Sequence, residues 1–248
     1  MHADSSFCIY FKEENRKWQG LSGIKHMKKR IISCLIVLFF LIVIYLIGCM
    51  QQGYVPAMGS VQEGKKKIAL TFDDGPHPHY TQQLLEGLKE RNIKATFFVT
   101  GEHASLHPDV IAQMKEDGHV IGNHTYSHMQ LNRSNREKFK EELMKTNEVI
   151  ESITGEEVVY VRPPYGSWDK RLEDELNMFP VLWTLDPLDW CSDNVGTIVR
   201  KVLSKAKEND IVLMHDYYPS SVTAAFQIVD ELQKQGYEFV TVEEILFD

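Results

Sequence analysis

"KKIALTFDDGPHPHY", Lys66 to Tyr80, is the stretch from which the rest of the chain is read. Its first half is strand-like, with apolar Ile68, Ala69, Leu70 and Phe72 in a nearly unbroken run. Two adjacent aspartates follow, Asp73 and Asp74, and then Gly75 and Pro76, which force a sharp turn. One ionised carboxylate at the end of a buried strand is costly, and two repel each other. Another charge must make the pair tolerable, or one of the two must be protonated.

Outward from this stretch the pattern alternates. Residues 80–92 have helical periodicity, with Leu84, Leu85 and Leu88 on one side. Further strands are expected at 94–100, 119–125, 158–164, 179–186, 210–216 and 237–242. Helices are expected at 107–118 and 135–155, and near 168–177, 195–208 and 221–235. Strand and helix in alternation, about seven times over, predict an α/β fold with a mostly parallel sheet covered on both faces. A closed or nearly closed barrel and an open doubly wound sheet both satisfy this pattern.

In either architecture, function gathers at the carboxyl ends of the strands. The unusual residues fall at those ends. Asp73 and Asp74 follow the first strand, His124 the third and Arg162 the fourth. Asp186 and Asp189 follow the fifth, and His215 the sixth. In "HTYSH", His124 and His128 stand four residues apart, and on a helical turn both rings would face the same way. Two imidazoles with a carboxylate from elsewhere make a divalent-metal site with open positions. A dication there would supply the charge missing beside the aspartate pair, one aspartate binding it and the other staying close as a base.

These residues resemble the polysaccharide deacetylases of carbohydrate esterase family 4, the NodB-homology domain. The resemblance covers about residues 66–248 and rests on "TFDDG" (71–75), "HTYSH" (124–128), "RPPYG" (162–166), "DPLDW" (186–190) and "LMH" (213–215). It implies a distorted (β/α) barrel, usually of seven parallel strands. It further implies that Asp74, His124 and His128 bind the metal, usually zinc, with cobalt or nickel also accepted. Asp73 would be the general base and His215 the general acid. Arg162 would orient and charge-balance Asp73, and Asp189 would pair with His215. The backbone amide near Tyr165 would help hold an oxyanion, while Trp190 and Leu213 would line the acetyl pocket. Trp183, Phe97 and Phe98 read as core. His77 and His79 read as loop residues near the cleft, and Tyr126, Tyr217 and Tyr218 as groove edge. His103, His107 and His119 take no role.

The chain has 248 residues and a net charge of −8. Before Gly64 there are 7 basic residues against 4 acidic; from Gly64 onward there are 20 against 31. The acidic larger part argues against nucleic acid as a partner, and no oligomerisation surface is indicated. Residues 31–50, "IISCLIVLFFLIVIYLIGCM", carry no charge and follow "KHMKKR". Length and flank suit a membrane anchor with the chain beyond it outside the cell membrane. The ending "LIGC" also resembles a lipobox, which would make Cys49 a lipidated residue. The expected organisation is therefore a cytoplasmic leader (1–30), an anchor or signal segment (31–50), a linker (51–65) and a catalytic domain (66–248). Met27, followed by "KKR", reads as an alternative start. Only Cys191 lies in the large segment, so that segment has no internal disulfide, and Cys191 is expected to be packed.

The function expected from the resemblance is metal-dependent removal of N-acetyl groups from an amino-sugar polymer. The tether favours N-acetylglucosamine of cell-wall peptidoglycan. Chitooligosaccharide, poly-N-acetylglucosamine and acetylated xylan are alternatives that the motifs do not separate. A wall-glycan-binding module whose catalysis has lapsed would be expected to lose Asp73, a ligand or His215, and none of these is missing.

Overall fold

The computed structural model describes residues 32–33, 35–45 and 65–247. The chain divides into two units after Glu63. In the first, residues 32–33 and 35–45 are helical. Among the described residues no helix is long and apolar enough to cross a membrane. The leader at 1–30, part of the segment at 31–50, Cys49, and the linker at 51–65 apart from Lys65 lie outside the described residues.

The second unit is a curled parallel sheet wrapped by helices. Its strands are β1 (Lys66–Asp73), β2 (Thr96–Val99), β3 (Val120–Asn123), β4 (Tyr160–Val161), β5 (Phe179–Pro180), β6 (Asp210–His215) and β7 (Tyr237–Val240). The order is β5-β4-β3-β2-β1-β6, with β7 also paired to β1, and every pairing is parallel. Beyond β5 the chain returns to β6 through a single parallel bridge, Leu185 to Val212. The sheet is thus a partly closed barrel rather than an open doubly wound sheet. The fourth and fifth strands, expected at seven and eight residues, have only two residues each. The remaining backbone there turns into the loops that carry the site.

The helices are α1 (Tyr80–Glu90), α2 (Gly101–Leu106), α3 (Pro108–Glu116), α4 (Arg136–Thr154), α5 (Arg171–Leu176), α6 (Val195–Leu203), α7 (Pro219–Lys234) and α8 (Val242–Phe247). Their ends obey local rules. Pro108 and Pro219 occupy first turns, where a missing N–H costs nothing. Asn194 caps α6 by accepting from the Thr197 N–H, and Gly155 ends α4 in the left-handed conformation.

Alternation along the strands separates two interiors. Ile68, Leu70 and Phe72 of β1, with Val212 and Met214 of β6, pack toward the helices in the main core. Ala69 and Ile211 belong to a second, smaller core with Phe98, Tyr160 and Val181. On the same period, Thr71, Asp73, Leu213 and His215 follow Ala69 and Ile211 toward the carboxyl end. The β1–β6 register pairs Asp73 directly with His215. A period-two pattern and a parallel register therefore bring a carboxylate and an imidazole to the same rim.

Candidate active site

Arg162 is fully buried behind the rim and lies 4.2 Å from the Phe98 ring centroid. An arginine in that position must spend its donors. Its Nη1 donates to Asp73 Oδ1 at 2.8 Å and to Thr71 Oγ1 at 2.6 Å, its Nε to the Val181 carbonyl at 3.0 Å, and its Nη2 to the Leu182 carbonyl at 3.3 Å. Burial lowers the Arg162 pKa, and the Asp73 charge opposes that. Asp73 is itself buried, so the pair forms a desolvated ion pair whose geometry is fixed by backbone carbonyls.

His124 leaves the end of β3 and is 3% exposed. Its Nδ1–H donates to the Arg162 carbonyl at 2.6 Å, which turns the Nε2 lone pair toward the carboxylates. Nε2 lies 3.4 Å from Asp74 Oδ1 and 3.9 Å from Asp73 Oδ2. His128 Nε2 lies 3.3 Å from the same Asp74 oxygen. The two rings do converge, but not on a helical turn. Residues 124–128 form a loop, and Thr125 and His128 hold left-handed backbone, with φ of 63° and 57°. Asn123 Oδ1 accepts from the Thr125 N–H and Thr125 Oγ1 from the Met129 N–H, which stabilise that loop.

One ligand atom each from Asp74, His124 and His128 lies within 4.8 Å of the others. Asp74 Oδ1 is buried without a hydrogen-bond partner. Lone pairs facing one another around an unsatisfied carboxylate oxygen repel unless a cation lies among them. Two imidazoles and one carboxylate fit a divalent ion with positions left open.

His215 faces this group from β6, its Nε2 4.0 Å from Asp74 Oδ2. Asp189 grips it twice, accepting from the His215 Nδ1–H at 2.9 Å and from the His215 backbone N–H at 2.8 Å. Burial disfavours the imidazolium, but the Asp189 contact, with Asp73 and Asp74 behind it, raises the His215 pKa to about 9. A cleft of about 350 Å³ opens over these groups, lined also by Pro163, Tyr165, Trp183, Asp186, Trp190, Leu213 and Tyr218. All ten residues singled out as catalytic, substrate-binding or metal-binding are therefore at one site. Asp73, Asp74, His124, His128, Tyr165, Trp190, Leu213 and His215 line the cleft, and Arg162 and Asp189 hold their partners from behind.

The comparisons with known proteins bear on this site. A family model described as polysaccharide deacetylase matches residues 60–181. The chain is 39% identical over 202 residues to a peptidoglycan-N-acetylglucosamine deacetylase of Bacillus cereus, covering 78% of this chain and 93% of that one. The chain belongs to the polysaccharide deacetylase family. It is also 39% identical over 191 residues to the peptidoglycan-N-acetylmuramic acid deacetylase PdaC of Bacillus subtilis, covering 77% of this chain. It spans about two fifths of the length of that relative, 41%. The solved structure of Bacillus subtilis PdaC is similar at a TM-score of 0.71 and 40% identity, over 73% of this chain and 90% of that one.

Several residues depart from the sequence reading. His103, expected to have no role, donates from Nδ1 to the Asp74 carbonyl at 2.8 Å and stacks on Tyr217. Trp183, expected in the core, lines the cleft, and Cys191, expected to be packed, is exposed. Asp216, directly after His215, is fully buried, and burial pushes its carboxyl up to about 7. A signal for Asp216 was present, since an aspartate ending an apolar strand poses the question already asked of Asp73.

Proposed function

We propose that this chain hydrolyses N-acetyl groups of an amino-sugar polymer, with N-acetylglucosamine of cell-wall peptidoglycan as the first substrate. The observation that carries the reading is the meeting of Asp73, the Asp74–His124–His128 group and His215 at one rim. An amide carbonyl is a poor electrophile and an amine a poor leaving group, so acyl activation, a base and an acid are all required. A divalent ion held by Asp74, His124 and His128, zinc first and cobalt or nickel as substitutes, would supply Lewis acidity to the acyl oxygen.

The chain's own residues do the rest. Asp73, held in place by Arg162, takes a proton from the attacking water. His215, held protonated by Asp189, delivers a proton to the departing nitrogen. The left-handed turn at Tyr165, φ 58°, borders the cleft and supports an oxyanion contact from the backbone there. Trp190 and Leu213 form the apolar wall for the acetyl methyl. The apolar run at 31–50 after a basic flank supports a membrane tether with this unit on the extracytoplasmic side.

The test is acetate release by the full chain with added zinc, from peptidoglycan, chitooligosaccharides and acetylated xylan in parallel. Release from peptidoglycan, leaving free amines on glucosamine, supports the reading. Release from chitooligosaccharide alone replaces the substrate but keeps the chemistry, whereas release from xylan alone would make the chain an O-acetyl esterase and overturn the amide reading. No release from a folded, zinc-loaded chain moves the weight to a lapsed glycan-binding module.

A further inference from the structure

Asp216 ends the apolar run of β6 and takes no part in the chemistry above. Its Oδ2 accepts from Thr81 Oγ1 at 2.5 Å, while Oδ1 is buried with no hydrogen-bond partner. A buried carboxyl with an unfilled acceptor is a cost to the fold. The Thr81 hydroxyl in turn accepts from the His77 N–H at 2.7 Å. Thr81 and Asp216 are 135 residues apart in the chain, so this contact ties α1 to the end of β6.

Gly75 lies directly against the same carboxyl. A Cβ on Gly75 would stand 2.2 Å from Asp216 Oδ2 and 2.4 Å from Oδ1, so no side chain fits without moving Asp216. The segment after Asp74 is therefore held at both ends by one group: Gly75 by packing, His77 through Thr81. Asp74 itself has φ of 75°, a conformation that a non-glycine residue keeps only when its surroundings impose it.

We propose that Asp216 and Thr81 are positioning residues for the metal loop, a buried clamp that sets the direction in which Asp74 presents its carboxylate to a divalent cation. The inference rests on reading Asp74, His124 and His128 as the metal group. The clamp touches neither metal nor substrate, and it acts through Gly75 and His77 on the ligand between β1 and α1.

The experiment measures zinc affinity of the full chain by competition with a chromophoric chelator, and the visible absorption spectrum of the cobalt-loaded chain. Thr81→Val keeps the shape and removes the hydroxyl. It is expected to weaken zinc binding about tenfold to a hundredfold and to alter the cobalt bands. Thr81→Ser restores the hydroxyl and is expected to restore both. Unchanged zinc affinity and cobalt bands in Thr81→Val, whatever its melting temperature, would overturn the proposal. Should Thr81→Val not fold, Asp216→Asn carries the test, with weaker zinc binding and shifted cobalt bands expected and unchanged values overturning it. A wild-type chain that binds no zinc, or a His128→Ala chain that binds it equally well, overturns the metal reading and the clamp together. That outcome is read before any clamp variant is compared.

Discussion

His119 precedes strand β3 and His124 follows it, with only Val120–Asn123 between them. Both rings are buried, 7% and 3% exposed. At the amino end, His119 Nδ1 accepts from the Ala95 N–H at 3.1 Å, and its Nε2 has no hydrogen-bond partner. Burial, with Lys94 nearby, lowers its pKa to about 4. At the carboxyl end, His124 gives its Nδ1–H to a carbonyl and turns Nε2 to two carboxylates. Burial alone therefore does not make a buried histidine functional. The difference lies in what the free nitrogen faces, and in a parallel sheet the loops at the carboxyl ends supply those partners.

The sharpest way to break this comparison is at the carboxyl end. Asp73→Asn keeps the shape and a contact to Arg162 but removes the proposed base. It is expected to lower kcat by about 10² to 10⁴, with zinc still bound. Near-normal turnover would remove Asp73 from the mechanism.

At the amino end the expected effect is on stability. His119 is held neutral in the fold with a pKa of about 4, while an unfolded histidine titrates near its ordinary value of 6.5. Its contribution is thus fully present above pH 6.5 and is lost as pH falls toward 4, by at most about 3 kcal/mol. His119→Gln should lose less stability than wild type between pH 6.5 and 4 in urea titrations, with activity at neutral pH unchanged. Equal acid loss in both chains would mean that His119 accepts a proton without cost.

A third effect sharpens the contrast by moving a charge partner. Asp189 helps keep His215 protonated up to about pH 9. A dication at Asp74 would offset the neighbouring carboxylates, so the alkaline limb of kcat/KM should fall between the ordinary histidine value and 9. Asp189→Asn should move that limb toward neutral pH and cost about tenfold or more at pH 8. A limb that stays in place would assign it to another group. The smallest effect is expected at Cys191, which is exposed and donates only to the Leu188 carbonyl. Cys191→Ser should change stability by less than about 0.5 kcal/mol and leave turnover intact.

What the sequence revealed follows the same division. β1 was legible because an apolar run ended in two carboxylates and a Gly-Pro turn. The parallel architecture was legible because strand and helix patterns alternated. The spacing of His124 and His128 was visible, but the backbone that makes it work was not. Left-handed Thr125 and His128 leave no mark in residue type, and a helical turn was the simpler reading. β4 and β5 looked longer because apolar residues continue past them into cleft-lining loops. α2 was too short for periodicity to mark it. Asp216, His103 and Trp183 were missed because their roles come from contacts with partners distant in the chain.

Zinc binding by wild type, His119→Ala and His124→Ala tests the central claim most directly, measured as metal retained per folded chain after dialysis. The account predicts one zinc per chain for wild type and His119→Ala, and none for His124→Ala. Zinc retained by His124→Ala, or lost from a folded His119→Ala, would contradict it.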